Sequence, residues 1–121
     1  MGQLSGKVAL VTGASAGLGA ATARLFAERG AQVFGIARDA ERMAEVFADV
    51  PGGTFASVDI TSPQACADAV ADCVAHFGRL DVLANVAGWG KTVPFVDTEY
   101  DFWEKVVDLN LYGPIKMCKA F

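Results

Sequence analysis

The stretch Lys7-Val8-Ala9-Leu10-Val11-Thr12 runs straight into Gly13-Ala14-Ser15-Ala16-Gly17-Leu18-Gly19. Its apolar run, residues 8–11, halts at Thr12-Gly13, and a helical pattern begins at Gly17. Few folds admit a buried strand, a glycine turn and a helix in that order, and the combination is the signature of a phosphate cradle. Each glycine has a task. Gly13 lets the chain leave the strand in a conformation that a β-carbon opposes. Gly17 has no side chain to hold a phosphate away from the backbone, and Gly19 lets the helix pack closely on the strand. The unpaired N–H groups and positive dipole end of such a helix attract a pyrophosphate. Ser15 and Leu18 lie in the same turn and join the three glycines as candidate contacts. The spacing is G-x-x-x-G-x-G rather than G-x-G-x-x-G, and no Gly-Lys-Ser/Thr follows, which excludes a P-loop. A turn merely rich in glycine is the plain alternative, and its place at a strand–helix junction argues against that.

The pattern then repeats. Leu18, Ala21, Leu25 and Phe26 form a helical apolar stripe that stops at Gly30. Residues 32–37 read as a second strand, and Asp39 opens a second helix with Met43, Val46 and Phe47 on one face. Pro51-Gly52-Gly53 breaks it, and residues 54–58 form a third strand. Ser62-Pro63 starts a third helix lined by Cys66, Val70, Cys73, Val74 and Phe77, ending at Gly78. Residues 80–84 form a fourth strand and residues 88–97 a loop. Thr98 is the expected cap of a last helix carrying Phe102, Trp103, Val106, Val107, Leu109 and Leu111. Strand and helix alternating with short connections predict an α/β fold, a parallel sheet covered on both faces. Right-handed crossovers of the Rossmann type place the strands in the order 3-2-1-4. The reversal point lies between the first and fourth strands. Both carry glycine motifs at their C-terminal ends, so a nucleotide site is expected there.

Thr12-Gly13-x-x-x-Gly17-x-Gly19 resembles the cofactor motif of the short-chain dehydrogenases/reductases, and the resemblance runs from about residue 6 to residue 121. At the end of the second strand an acid would select NAD and an arginine NADP. Ala37 stands where NAD-preferring members commonly carry the acid, and Arg38 follows, as in many NADP-preferring members. Asp39 is better placed as a helix cap. Ala16 stands where many NADP users carry a second basic residue. NADP is therefore the favoured cofactor, with NAD the alternative. The resemblance further implies that Asp59 and Ile60 hold the adenine. Asn85-Val86-Ala87-Gly88 matches the family's Asn-Asn-Ala-Gly segment: Asn85 would bridge neighbouring strand ends, while Ala87 and Gly88 would admit a ribose or nicotinamide. Val86 replaces the second asparagine. Asn110 matches the asparagine that helps hold a water chain to the catalytic lysine, and a structural amide is the competing reading. Trp89 is the best substrate-pocket candidate in its loop, whereas His76 and Trp103 read as structural or exposed.

The family's serine, tyrosine and lysine, the last two spaced Y-x-x-x-K, come later in its pattern than Phe121. The resemblance thus implies that residues 1–121 are the dinucleotide-binding domain of a longer oxidoreductase, cut in the helix after the fourth strand and inactive alone. The complete protein would move hydride between the nicotinamide and an alcohol or ketone, and would be a homo-oligomer. A non-catalytic nucleotide-binding or interaction module ending at Phe121 is the other function class. Tyr112-Gly113-Pro114-Ile115-Lys116 has the Y-x-x-x-K spacing but is read as a decoy. Gly113 and Pro114 should make the helix kinked or irregular, with Tyr112 packed on it and Lys116 reaching solvent or a neighbouring subunit.

Composition narrows the partners. With 121 residues, 53% hydrophobic and 20% charged, one domain with a real core is expected. A net charge of −4 argues against nucleic acid and anionic membranes. No apolar stretch approaches the roughly 18 residues of a membrane span. Residues 1–7 lack the basic and apolar regions of a signal peptide. Cys66, Cys73 and Cys118 do not have the spacing of a zinc site, so no metal is expected. They read as reduced thiols of a cytoplasmic protein.

Overall fold

The computed structural model describes residues 2–121. Four strands, β1 (Val8–Thr12), β2 (Gln32–Ala37), β3 (Thr54–Ser57) and β4 (Val82–Ala84), form one sheet in the order β3-β2-β1-β4. All three pairings are parallel, with Val8 opposite Gln32, Ala9 opposite Val82 and Phe34 opposite Thr54. The helices are α1 (Gly17–Glu28), α2 (Ala40–Phe47), α3 (Pro63–Phe77), α4 (Tyr100–Val107) and α5 (Gly113–Ala120). A 3₁₀ turn at Phe95–Asp97 precedes α4, and a π-helical turn at Asp108–Tyr112 joins α4 to α5.

Every residue of β1 is buried, because apolar layers cover both faces of the sheet. Alternation along the strands sorts the side chains into two clusters. Val11 and Val33 meet Ala20, Ala23, Met43 and Phe47 of α1 and α2. Val8, Leu10, Phe34 and Ile36 meet Cys66 and Cys73 of α3 and Met117 of α5. Burial pushes the Cys73 thiol up to about 11.

The helix starts follow local chemistry. Asp39 caps α2 by accepting from Arg42 N at 3.0 Å, and Ser62 caps α3 by accepting from Ala65 N at 3.2 Å, with Pro63 in the first turn. Gly78 ends α3 at φ 84°, in the left-handed region that glycine enters freely.

Several expectations are corrected. In α1 the buried face is Gly19, Ala20 and Ala23, while Leu18 and Leu25 are exposed. The start of the helix lies so near the sheet that a β-carbon on Gly19 would collide with the Gly13 carbonyl, so only small side chains fit there, while Phe26 near its end packs against the core as expected. In α3, Ala69 is buried and Val74 exposed. Strand β4 begins at Val82 rather than residue 80. Asp81, gripped by Arg79 at 2.6 and 2.8 Å, takes the Val8 N–H with its carboxylate at 2.9 Å. Thr98 does not cap α4. Its hydroxyl donates to Phe95 O and accepts from Trp103 Nε1, both at 2.6 Å, and the helix starts two residues later.

The irregularity at Gly113-Pro114 takes a definite form. Proline has no N–H to return to the Asn110 carbonyl, and the Gly113 N–H instead donates five residues back to Asp108 O, which is π geometry. Tyr112 is not buried against the helix; it is 51% exposed. Nor does Lys116 run to solvent. Its ammonium donates to Thr61 O at 2.7 Å and lies 3.3 Å from Asp108 Oδ1.

Candidate cofactor cleft

The C-terminal ends of β1, β2 and β4 and the loop after β3 open onto one cleft of about 520 Å³. Its floor is the turn from β1 into α1. Gly13 at φ +66° and Gly17 at φ +53° both sit in the left-handed region, so the turn depends on glycine twice. A β-carbon on Gly13 would come within 2.8 Å of Ala87 Cα, whereas nothing lies within 4 Å of the position a β-carbon on Gly17 would take. The first glycine brings the β1 and β4 loops together, and the second leaves open space above the backbone. Ala16 supplies no side-chain cap to α1, and the first turn holds no acid. Its N–H groups are thus the orphan donors of a helix start, beside the open space at Gly17. These features fit a pyrophosphate.

Thr12 joins the two loops. Its side chain is the single polar one in the buried core of the described residues. The hydroxyl accepts from Val86 N at 3.0 Å and Ala87 N at 2.9 Å and lies 3.4 Å from Ala84 O as a donor. The strand-bridging expected of Asn85 therefore belongs to Thr12. Asn85 does not line the cleft; its amide is directed at Cys118 Sγ, 3.5 Å away. A lone hydroxyl beside a glycine in an apolar strand was the signal for Thr12.

Ser15, Gly17, Leu18 and Gly19 line the α1 side of the cleft, and Arg38, Asp59 and Ile60 line the far side. Ala87 and Gly88 line the β4 side with Val86 and Trp89. Leu18 is 78% exposed, an apolar surface facing the cleft. The Arg38 side chain has no ion-pair partner among the described residues; its carbonyl accepts from Ser57 Oγ at 2.9 Å. The Thr61 hydroxyl and N–H, at 2.7 and 3.0 Å, bind Asp59 Oδ1 and hold its carboxyl below the usual range. The charges of Arg38 and Lys116 act in the same direction. Oδ2 has no hydrogen-bond donor among the described residues.

Asn110 stands outside the cleft wall. Its Oδ1 accepts from Trp89 N at 3.2 Å, and its Nδ2 donates to Trp89 O at 2.6 Å and Val106 O at 2.9 Å. Both amide hydrogens are thus committed to backbone, pinning the loop that carries Trp89. Lys105 was not singled out by sequence reading, yet it lines the cleft with its Nζ 4.1 Å from the centre of the Trp89 ring.

A parallel sheet in the order β3-β2-β1-β4, with a helix N-terminus facing a glycine-floored cleft at its reversal point, defines a Rossmann-type α/β protein. The sequence matches the short chain dehydrogenase family over residues 7–121, and the chain belongs to that family. It is 39% identical over 125 residues to D-threitol dehydrogenase of Mycolicibacterium smegmatis, covering 98% of this chain and 47% of that one. Against the 3-oxoacyl-acyl-carrier-protein reductase of Vibrio cholerae the identity is 36%, covering 97% and 48%. The structure matches a short chain dehydrogenase from Mycobacterium smegmatis with TM-score 0.93 and 33% identity, over 99% of this chain and 52% of that one. It also matches a variant of actinorhodin polyketide ketoreductase solved with NADPH, with TM-score 0.92 and 30% identity, over 99% and 48%. The chain spans about half the length of these relatives. No described helix is long and apolar enough to cross a membrane.

Proposed function

We propose that this chain is the cofactor-binding half of an NAD(P)-dependent oxidoreductase acting on a small alcohol or ketone. The observation that carries the reading is the uncapped start of α1 beside the open space at Gly17. The bound nicotinamide would supply or accept the hydride. Gly13, Ser15, Gly17, Leu18 and Gly19 would hold the pyrophosphate, Asp59 would accept from the adenine amino group and Ile60 would pack on the ring. Ala87 and Gly88 would give the ribose and nicotinamide close access. Asn110, with its amide hydrogens spent on Trp89 O and Val106 O, acts chiefly as a positioning residue in this reading. The acid–base tyrosine and lysine would come from beyond residue 121, in a protein that forms homo-oligomers.

NADP is the favoured cofactor. Three features support it: Arg38 lines the cleft without an ion-pair partner among the described residues, Ala37 offers no carboxylate, and the Asp39 side chain accepts from Arg42 N as a helix cap. A charge-assisted bond to a 2′-phosphate is worth about 1.5–3 kcal/mol, or roughly ten- to a hundredfold in affinity. In the full-length protein, Arg38→Ala should weaken NADP(H) by that factor and barely change NAD(H), as read by calorimetric titration. Equal affinities in the parent, or NAD preferred, would refute the NADP assignment.

A further inference from the structure

Resting on that reading, we propose that Lys105 is a second phosphate anchor, parked on the Trp89 ring and drawn onto the dinucleotide's pyrophosphate when cofactor binds. The two cations of the cleft come from opposite sides. Arg38 follows β2, and Trp89 follows β4, while β1 and the N-terminus of α1 lie between them. A pyrophosphate seated on α1 therefore has Arg38 on the adenosine side, and Lys105 approaches over the β4 loop. Ala16 brings no charge to the turn itself.

Lys105 is free to make that move. It is exposed and forms no ion pair among the described residues; Asp108, one turn further along, is taken by Lys116. Its contact is the face of Trp89, a weaker partner for an ammonium than phosphate oxygens. The resting place is itself rigid. The Trp89 backbone is gripped at both N–H and C=O by Asn110, and its ring meets the Phe102 edge with centroids 5.8 Å apart. A flexible four-carbon stem on α4 thus starts from a fixed platform at the cleft wall.

The pyrophosphate is common to NAD and NADP, which separates this role from that of Arg38. Titrating the full-length protein with NAD+ and NADP+, Lys105→Met should weaken both roughly tenfold, and Lys105→Arg should restore most of the loss. The losses should shrink as salt is raised. In the parent, either dinucleotide should change the Trp89 fluorescence as the ammonium leaves the ring, a change absent in Lys105→Met. Unchanged affinities for both cofactors in a folded Lys105→Met would overturn the proposal. A loss confined to NADP+ would also overturn it, placing the cation at the 2′-phosphate. A parent that binds neither cofactor would instead remove the oxidoreductase reading itself.

Discussion

Thr12 shows how much a single hydroxyl can hold. It is 1% exposed, and it serves two N–H groups of the chain leaving β4. Val86 N also reaches Ala84 O at 3.1 Å, but Ala87 N has no other acceptor among the described residues. Thr12→Val keeps the shape and strands that donor, so it should cost about 1–3 kcal/mol in urea denaturation. Thr12→Ser should stay near the parent. Individual residues were unevenly legible in the sequence. Gly13, Gly17, Arg38 and Asp59 announce themselves through residue type and distance along a motif. The direction of the Asn85 amide was not legible, because it depends on what lies across from it, here Cys118. Lys105 left no signal, since a lysine among the apolar residues of a predicted helix says nothing about the ring it meets.

Helices carried the larger surprises. A stripe of large apolar residues predicts which face of a helix is buried only when there is room for them. At the start of α1 there is not, because Gly19 presses the helix onto the Gly13 carbonyl and leaves space for Ala20 and Ala23, and only Phe26 further along reaches the core as a large side chain. At the other end of the chain, Pro114 forecast an irregular helix, and the form it took, one π turn, depends on which carbonyl the Gly113 N–H could reach. That turn bears on the Y-x-x-x-K spacing of Tyr112 and Lys116. Two residues four apart share a face in a regular helix, but here the lysine is drawn toward Thr61 and Asp108 while the tyrosine faces out. Tyr112→Phe in the full-length protein should leave turnover within a few-fold of the parent. Loss of a general acid costs about 10²–10⁴-fold, so a drop of that size in a variant that still bound cofactor would make Tyr112 the catalytic group after all.

The sheet order was legible because alternating strand and helix patterns, with handed crossovers, leave little choice of topology. How the two apolar clusters divide the chain was not. The fully buried members of the cluster under α1 and α2 all lie within residues 11–50, whereas the cluster under α3 and α5 needs Val8 and Met117 together. Distance along the chain becomes time during folding, since closing a longer loop costs more entropy before any contact rewards it. The buried part of one face can close while the chain beyond residue 50 is still unordered, with Phe55, Ala84 and Val86 joining it later, and the other must wait for α5. We predict that pulse-labelled refolding will protect the amides of β1, α1 and β2 before those of α3 and α5. Simultaneous protection would show that both faces close in one step. On a ribosome the same asymmetry would let the glycine turn between β1 and α1 take shape before its partner loop from β4 has been made.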